Sequence, residues 1–136
     1  MIEIREDTIS LFEQDKEYVL DYFKSRNLKS RDLKRVIQKY PFGLIKDTSF
    51  FINGEEYGIS HFLGKSETGG YDIRKLNAML NTEGTDEVVF ALVLGDDALT
   101  CNIKTKEVSL WLIQTDSGNR IRAGDSISKF IKMIEK

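Results

Sequence analysis

Asn53-Gly54 lies between two arms rich in aromatic and β-branched residues, Ser49-Phe50-Phe51-Ile52 and Tyr57-Gly58-Ile59-Ser60-His61-Phe62-Leu63. Asn and Gly tolerate positive φ better than other residues, and a tight turn of this type matches the twist of paired strands. The stretch therefore predicts a β-hairpin over 49–52 and 57–63, with Glu55-Glu56 at its tip. Around that hairpin the chain sorts into helices before it and mainly strands after it.

Upstream, the apolar residues of 11–25 (Leu11, Phe12, Tyr18, Val19, Tyr22, Phe23) recur at helical spacing. Ser30 is placed to cap a second helix with Leu33, Val36, Ile37 and Tyr40 on one face. Pro41 ends it, because the residue before a proline is pushed out of the helical region. Downstream, Asp72 is placed to cap a helix to about residue 81, with Ile73, Leu76 and Leu80 on one side. Residues 88–94 are apolar on both faces and too short for a buried helix, which predicts the central strand. Gly95-Asp96-Asp97 is a turn. Residues 98–103 and 107–113 alternate as two more strands. Residues 115–119 read as a polar loop, and Asp125 or Ser126 caps a final helix carrying Ile127, Phe130, Ile131 and Ile134. Strands joined by short turns imply a largely antiparallel sheet, with helices packed mainly on one face: an α+β domain.

A chain of 136 residues suits one domain, and folding at that length buries roughly two thirds of the unfolded surface. Net charge is −2, so the whole chain does not advertise nucleic-acid or anionic-membrane binding. The longest apolar run, 88–94, is far short of the about 20 residues of a membrane span. The acidic N-terminus lacks the apolar core of a signal peptide. The single cysteine, Cys101, has no internal disulfide partner, which suggests a reducing, cytoplasmic setting. Its alternating neighbours make it a small buried hydrophobe.

No catalytic set emerges. His61 is the single histidine, so a zinc site built on several imidazoles is excluded and a structural histidine is the plainer reading. Glu55-Glu56 and Asp96-Asp97 are adjacent acids in turns, where side chains point into water rather than converge in a cleft. Gly64, Gly69 and Gly70 lack the Gly-Lys-Ser/Thr of a phosphate loop. Ser66 and Ser109 have no histidine at a recognisable spacing. No cofactor or metal is expected. Trp111 alternates with Leu110 and Leu112. Two readings stand: an exposed aromatic anchor for a partner, or a ring covered by loops or the N-terminal segment. Charge is segregated. Lys24, Arg26, Lys29, Arg31, Lys34, Arg35 and Lys39 form a basic run. From Asp47 to Asp97 acids outnumber bases. That is either an ordinary solvated surface or an acidic face that docks a basic partner.

Residues 50–59 (FFINGEEYGI), then Phe62-Leu63-Gly64 and Tyr71-Asp72-Ile73, resemble the middle of a SUKH-superfamily domain, the fold of the Smi/Knr cell-wall-assembly regulators. The strand with Cys101, the strand with Trp111, and residues 123–131 (AGDSISKFI), similar to the closing "DSF-x-x-F" helix, continue the resemblance. It covers about residues 30–136, with 1–29 as an N-terminal helical segment of the same single domain. Gly95-Asp96-Asp97 stands where many members carry a Gly-Gly-Asn-like turn. The resemblance implies binding rather than catalysis. Bacterial members are mostly cytoplasmic immunity proteins that neutralise a cognate toxin, often a nuclease or deaminase. Fungal members act as regulators, so a scaffold for an endogenous partner is the alternative. Glu55, Glu56, Asp96, Asp97 and Trp111 are the expected contacts of a toxin protein, with no membrane or direct nucleic-acid partner.

Overall fold

In the computed structural model, Asn53 and Gly54 have φ values of 52° and 84°. They form the two-residue turn that their chemistry favours. β1 (Ser49–Ile52) pairs antiparallel with β2 (Glu55–Phe62), from Ser49 opposite Gly58 to Ile52 opposite Glu55. The structure describes residues 16–26, 31, 48–67, 69–113 and 119–135. The expected second helix falls outside them except for Arg31, as do the expected helical residues 11–15.

β3 (Glu87–Val93), β4 (Ala98–Asn102), β5 (Val108–Trp111) and β6 (Arg120–Gly124) continue the sheet. Its six strands run antiparallel in chain order. β6 departs from the expected order, in which a loop at 115–119 leads on to the last helix. Ile121 and Ala123 nonetheless alternate with Arg120 and Arg122, the period of a strand. The sheet curls until β1 and β6 approach one another, nearly closing into a barrel. Three helices accompany it among the described residues: α1 (Lys16–Ser25), α2 (Ile73–Met79) and α3 (Ile127–Ile134). A single 3-10 turn, Gly69–Tyr71, precedes α2.

α3 begins where Ser126 Oγ accepts the backbone N–H of Lys129 at 3.2 Å. It buries Ile127, Phe130, Ile131 and Ile134, and packs against both β1 and β6. The Phe130 ring meets Phe50 edge-on, with centroids 5.3 Å apart. β3 is buried along 88–93, as expected of a central strand. In β4, Thr100 is buried along with Leu99 and Cys101, so the face expected to be polar is covered as well.

α2 is fixed to the sheet by Asn77. β2 pairs with β3 down to Phe62 opposite Ala91, and Leu63 N–H then donates to Phe90 C=O at 3.0 Å. Beyond that point, the Asn77 amide takes the place of a strand partner. Its Nδ2 donates to Val89 C=O at 3.1 Å, and its Oδ1 accepts Val89 N–H at 2.9 Å. Buried backbone groups need partners, and a buried asparagine supplies both. Asp72 caps α2, accepting from Arg74 and Lys75 N–H at 2.9 and 3.0 Å. It also accepts Ser66 N–H at 3.1 Å and the Tyr18 hydroxyl of α1 at 2.8 Å. Arg26 completes the docking of α1 by donating to the carbonyls of Thr82, Thr85 and Glu87.

Candidate protein-binding face

Glu55 and Glu56 are the first two residues of β2 rather than turn residues, so they point to opposite sides of the hairpin. Glu55 accepts the Tyr57 hydroxyl at 2.8 Å. Glu56 accepts the Ser49 hydroxyl at 2.8 Å, on the side that also carries Phe51, which is 63% exposed. The expectation that both acids lie in the turn is corrected accordingly: they open β2, and strand alternation separates them.

Asp96 and Asp97 lie in the β3–β4 turn, where Gly95 and Asp96 both have positive φ (94° and 69°). Asp96 N–H donates to Val93 C=O and Val93 N–H to Asp97 C=O, at 3.1 and 2.8 Å. The turn lies against β2, because Leu94 N–H donates to Gly58 C=O at 2.9 Å. A β-carbon on Gly58 would stand 2.7 Å from the Leu94 side chain, so glycine lets Leu94 lie flat there, 71% exposed. Asp97 comes near Tyr57. The phenol titrates above its ordinary range, first because it donates to Glu55, with the negative charge of Asp97 adding to the effect. The fold thus groups Glu55, Tyr57 and Asp97, and sends Glu56 and Asp96 elsewhere.

Asp96 joins a recess that the sequence did not foretell. About 370 Å³ in volume, it is lined by His61 and Leu92 of the sheet, Tyr71, Leu76 and Leu80 around α2, and Ile113. A β-bulge aims His61 into it. Ile59 pairs with Val93 but His61 pairs with Leu92, so the two residues face opposite sides although they are two apart. His61 is 3% exposed. Ser60 Oγ lies 2.9 Å from its Nδ1, and its ring meets Tyr71 edge-on with centroids 4.2 Å apart. Burial pulls its pKa down to about 4, against the opposing effects of the Gly70 carbonyl and the Asp96 charge. At neutral pH the imidazole is therefore uncharged, as a structural histidine would be.

Trp111 is half-buried in β5, paired with Ala98 next to Asp97 and with Arg120. The Arg120 guanidinium lies 3.8 Å from the centre of the Trp111 ring. Glu87 holds Arg120 by two contacts, Nε–Oε2 at 3.1 Å and Nη2–Oε1 at 2.7 Å. Among the described residues, Arg120 of the unexpected strand lies over the indole. Cys101 is buried, and no group of three or more metal-ligating side chains occurs among the described residues. No helix of the described residues is long and apolar enough to cross a membrane. Phe51 and Leu94 are surface features that the sequence reading missed. The Gly58–Leu94 contact joins positions far apart in sequence, so no local pattern announces it.

Comparison of the chain with known protein families, with curated proteins and with solved structures finds no match.

Proposed function

We propose that this chain is an immunity-type binding protein that neutralises a cognate bacterial toxin by stoichiometric protein–protein binding. In this reading it is a single SUKH-like domain with helices packed mainly on one face, works in the cytoplasm and performs no catalysis. The observation that carries it is the acidic margin of the sheet. Glu55 and Asp97 gather around Tyr57 on one side, and Glu56 stands opposite the exposed Phe51, with the exposed Leu94 lying against Gly58 of the same strand. Exposed apolar side chains bordered by like charges suit a basic protein surface, which the charge steers and the apolar groups hold. Nuclease and deaminase toxins that act on nucleic acid present such basic surfaces. The SUKH resemblance supports the same reading.

Expression of the chain beside a toxin encoded next to its gene is the test. Protection of the cell and a one-to-one complex on size-exclusion chromatography are expected. Survival no better than with an empty vector, together with separate elution of the two proteins, overturns the proposal.

A further inference from the structure

The recess beside α2 has a graded wall. His61, Leu76 and Leu92 form its buried part, while Gly70, Tyr71, Leu80 and Ile113 are half-buried and Asp96 is exposed where it opens to water. Asp96 already has a partner within the chain, so the recess calls for no counter-ion. Among the described residues no positively charged side chain lines it, and an anion finds nothing to pair with. A cation would carry its charge inward, against two leucines and an imidazole that burial keeps uncharged at neutral pH. A polyol would leave hydroxyls unpaired against Leu76, Leu80, Leu92 and Ile113. The wall therefore selects a neutral, mainly apolar occupant.

Volume and the two rings set its shape. A closed apolar cavity of about 150 Å³ takes one benzene ring. At about 370 Å³ the recess is more than twice as large, which is room for two fused rings. His61 and Tyr71 meet edge-on with centroids 4.2 Å apart and make an aromatic corner for a flat ring to lie against. One backbone group gives direction. The Gly70 carbonyl lies 3.5 Å from His61 Nε2, longer than the about 3 Å of a good N–H···O bond. A carbonyl has two acceptor sites, so this one keeps capacity for a donor in the recess. A β-carbon added at Gly70 would meet nothing within 4 Å, so the backbone there is uncrowded. A ring N–H suits it better than a hydroxyl, because an indole N–H only donates and brings no lone pairs to be left unpaired among leucines.

We infer that the recess is a small-molecule site for a neutral, fused two-ring aromatic with one ring N–H, of which indole is the simplest member. Its rings lie against His61, Tyr71 and the leucines, and its N–H donates to the Gly70 carbonyl. None of Glu55, Glu56 and Asp97 lines the recess, so the site does not depend on the binding function proposed above.

The probe is indole, titrated into the ¹⁵N-labelled chain, with 1-methylindole as the same ring system without its donor and indole-3-carboxylate as an anion. Saturable shifts concentrated at His61, Gly70, Tyr71, Leu76, Leu92 and Ile113 are expected for indole. Binding about tenfold weaker is expected for 1-methylindole, the effect of one lost hydrogen bond, and no saturable shift for the anion. Shifts located elsewhere, no saturation at the solubility limit of indole, or equal binding of either analogue overturns the inference. Nα-acetyl-tryptophan amide separates a free small molecule from a partner's side chain: weaker binding than indole is expected, and equal or tighter binding overturns the small-molecule assignment. Leu80→Trp fills the recess from its half-buried wall and should abolish the indole shifts; a folded Leu80→Trp chain that binds indole as wild type does overturns the inference. If that variant does not fold, the ligand comparison on the unaltered chain decides alone.

Discussion

Asp72 and the four acids at the sheet margin carry the same functional group and have opposite fates. Asp72 is 2% exposed, and its two oxygens accept hydrogen bonds from Arg74, Lys75, Ser66 and Tyr18. One carboxylate thereby joins α1, the segment before the 3-10 turn and the start of α2. Burial, then the bond to Asp72, pushes the Tyr18 phenol well above its ordinary range. Glu55, Glu56 and Asp96 are exposed, and the first two bond only to nearby hydroxyls within their own hairpin. The fold depends on the first acid and hardly on Glu55 and Glu56. A surface whose charges the fold does not require is where partner recognition can act without cost to stability.

The sharpest way to break this comparison is Asp72→Ala. It removes a helix cap and leaves buried donors without an acceptor, so a loss of about 4–5 kcal/mol in urea unfolding is expected. A loss below about 1 kcal/mol would mean that water replaces the carboxylate and that Asp72 is no hub.

Asn77 tests the other internal polar anchor. Asn77→Leu keeps the volume but strips partners from Val89 N–H and C=O, and from the Thr82 hydroxyl that donates to Asn77 Oδ1. About 3–4 kcal/mol of destabilisation is expected, with faster amide exchange at Val89 than at Val88. Equal protection at the two amides would show that α2 does not substitute for a strand there.

His61 contributes through pH. Its folded pKa of about 4 lies below the unfolded value of 6.5, so the unfolded chain binds the extra proton between those values. Stability attributable to His61 is full above pH 6.5, declines as pH falls through the window, and reaches its minimum below about pH 4. The total is about 3 kcal/mol at most, from 1.36 kcal/mol per unit. Unfolding free energies of wild type and His61→Gln, measured from pH 7.5 to 4.5, are expected to converge as pH falls. Parallel curves would mean that the imidazole takes up its proton as readily in the fold as in the unfolded chain.

These tests concern residues of unequal legibility. The Asn53-Gly54 hairpin, the Asp72 cap and the apolar face of α3 are local patterns, and each is visible within a few residues of sequence. The β-bulge between Ile59 and His61 is not. Alternation puts His61 on the same side as Ile59, and only the shifted pairing with β3 turns it into the recess. β6 is short, and Arg120 and Arg122 dilute its apolar signal to Ile121 and Ala123. Its strand character comes from pairing with β5, which is a tertiary effect. The acids of the candidate face were readable as residues. Their division between Tyr57 and the recess was not, because it follows from strand boundaries and from the contact of two turns.

The smallest expected effect on the fold belongs to the exposed acids. Neutralising Glu55, Glu56 and Asp97 together, as Glu55→Gln, Glu56→Gln and Asp97→Asn, removes three charges without removing a core contact. The melting temperature is expected to stay within about 2 °C of wild type. The Tyr57 phenol should fall back toward its ordinary range in a spectrophotometric titration, because the Glu55 carboxylate and the Asp97 charge that raise it are gone. Association with a basic partner should slow by about tenfold at low salt and converge with wild type at high salt, since screening removes what the charges contribute. A large drop in melting temperature would put these acids in the same class as Asp72, and the division between a carboxylate that builds the fold and carboxylates that face a partner would not hold.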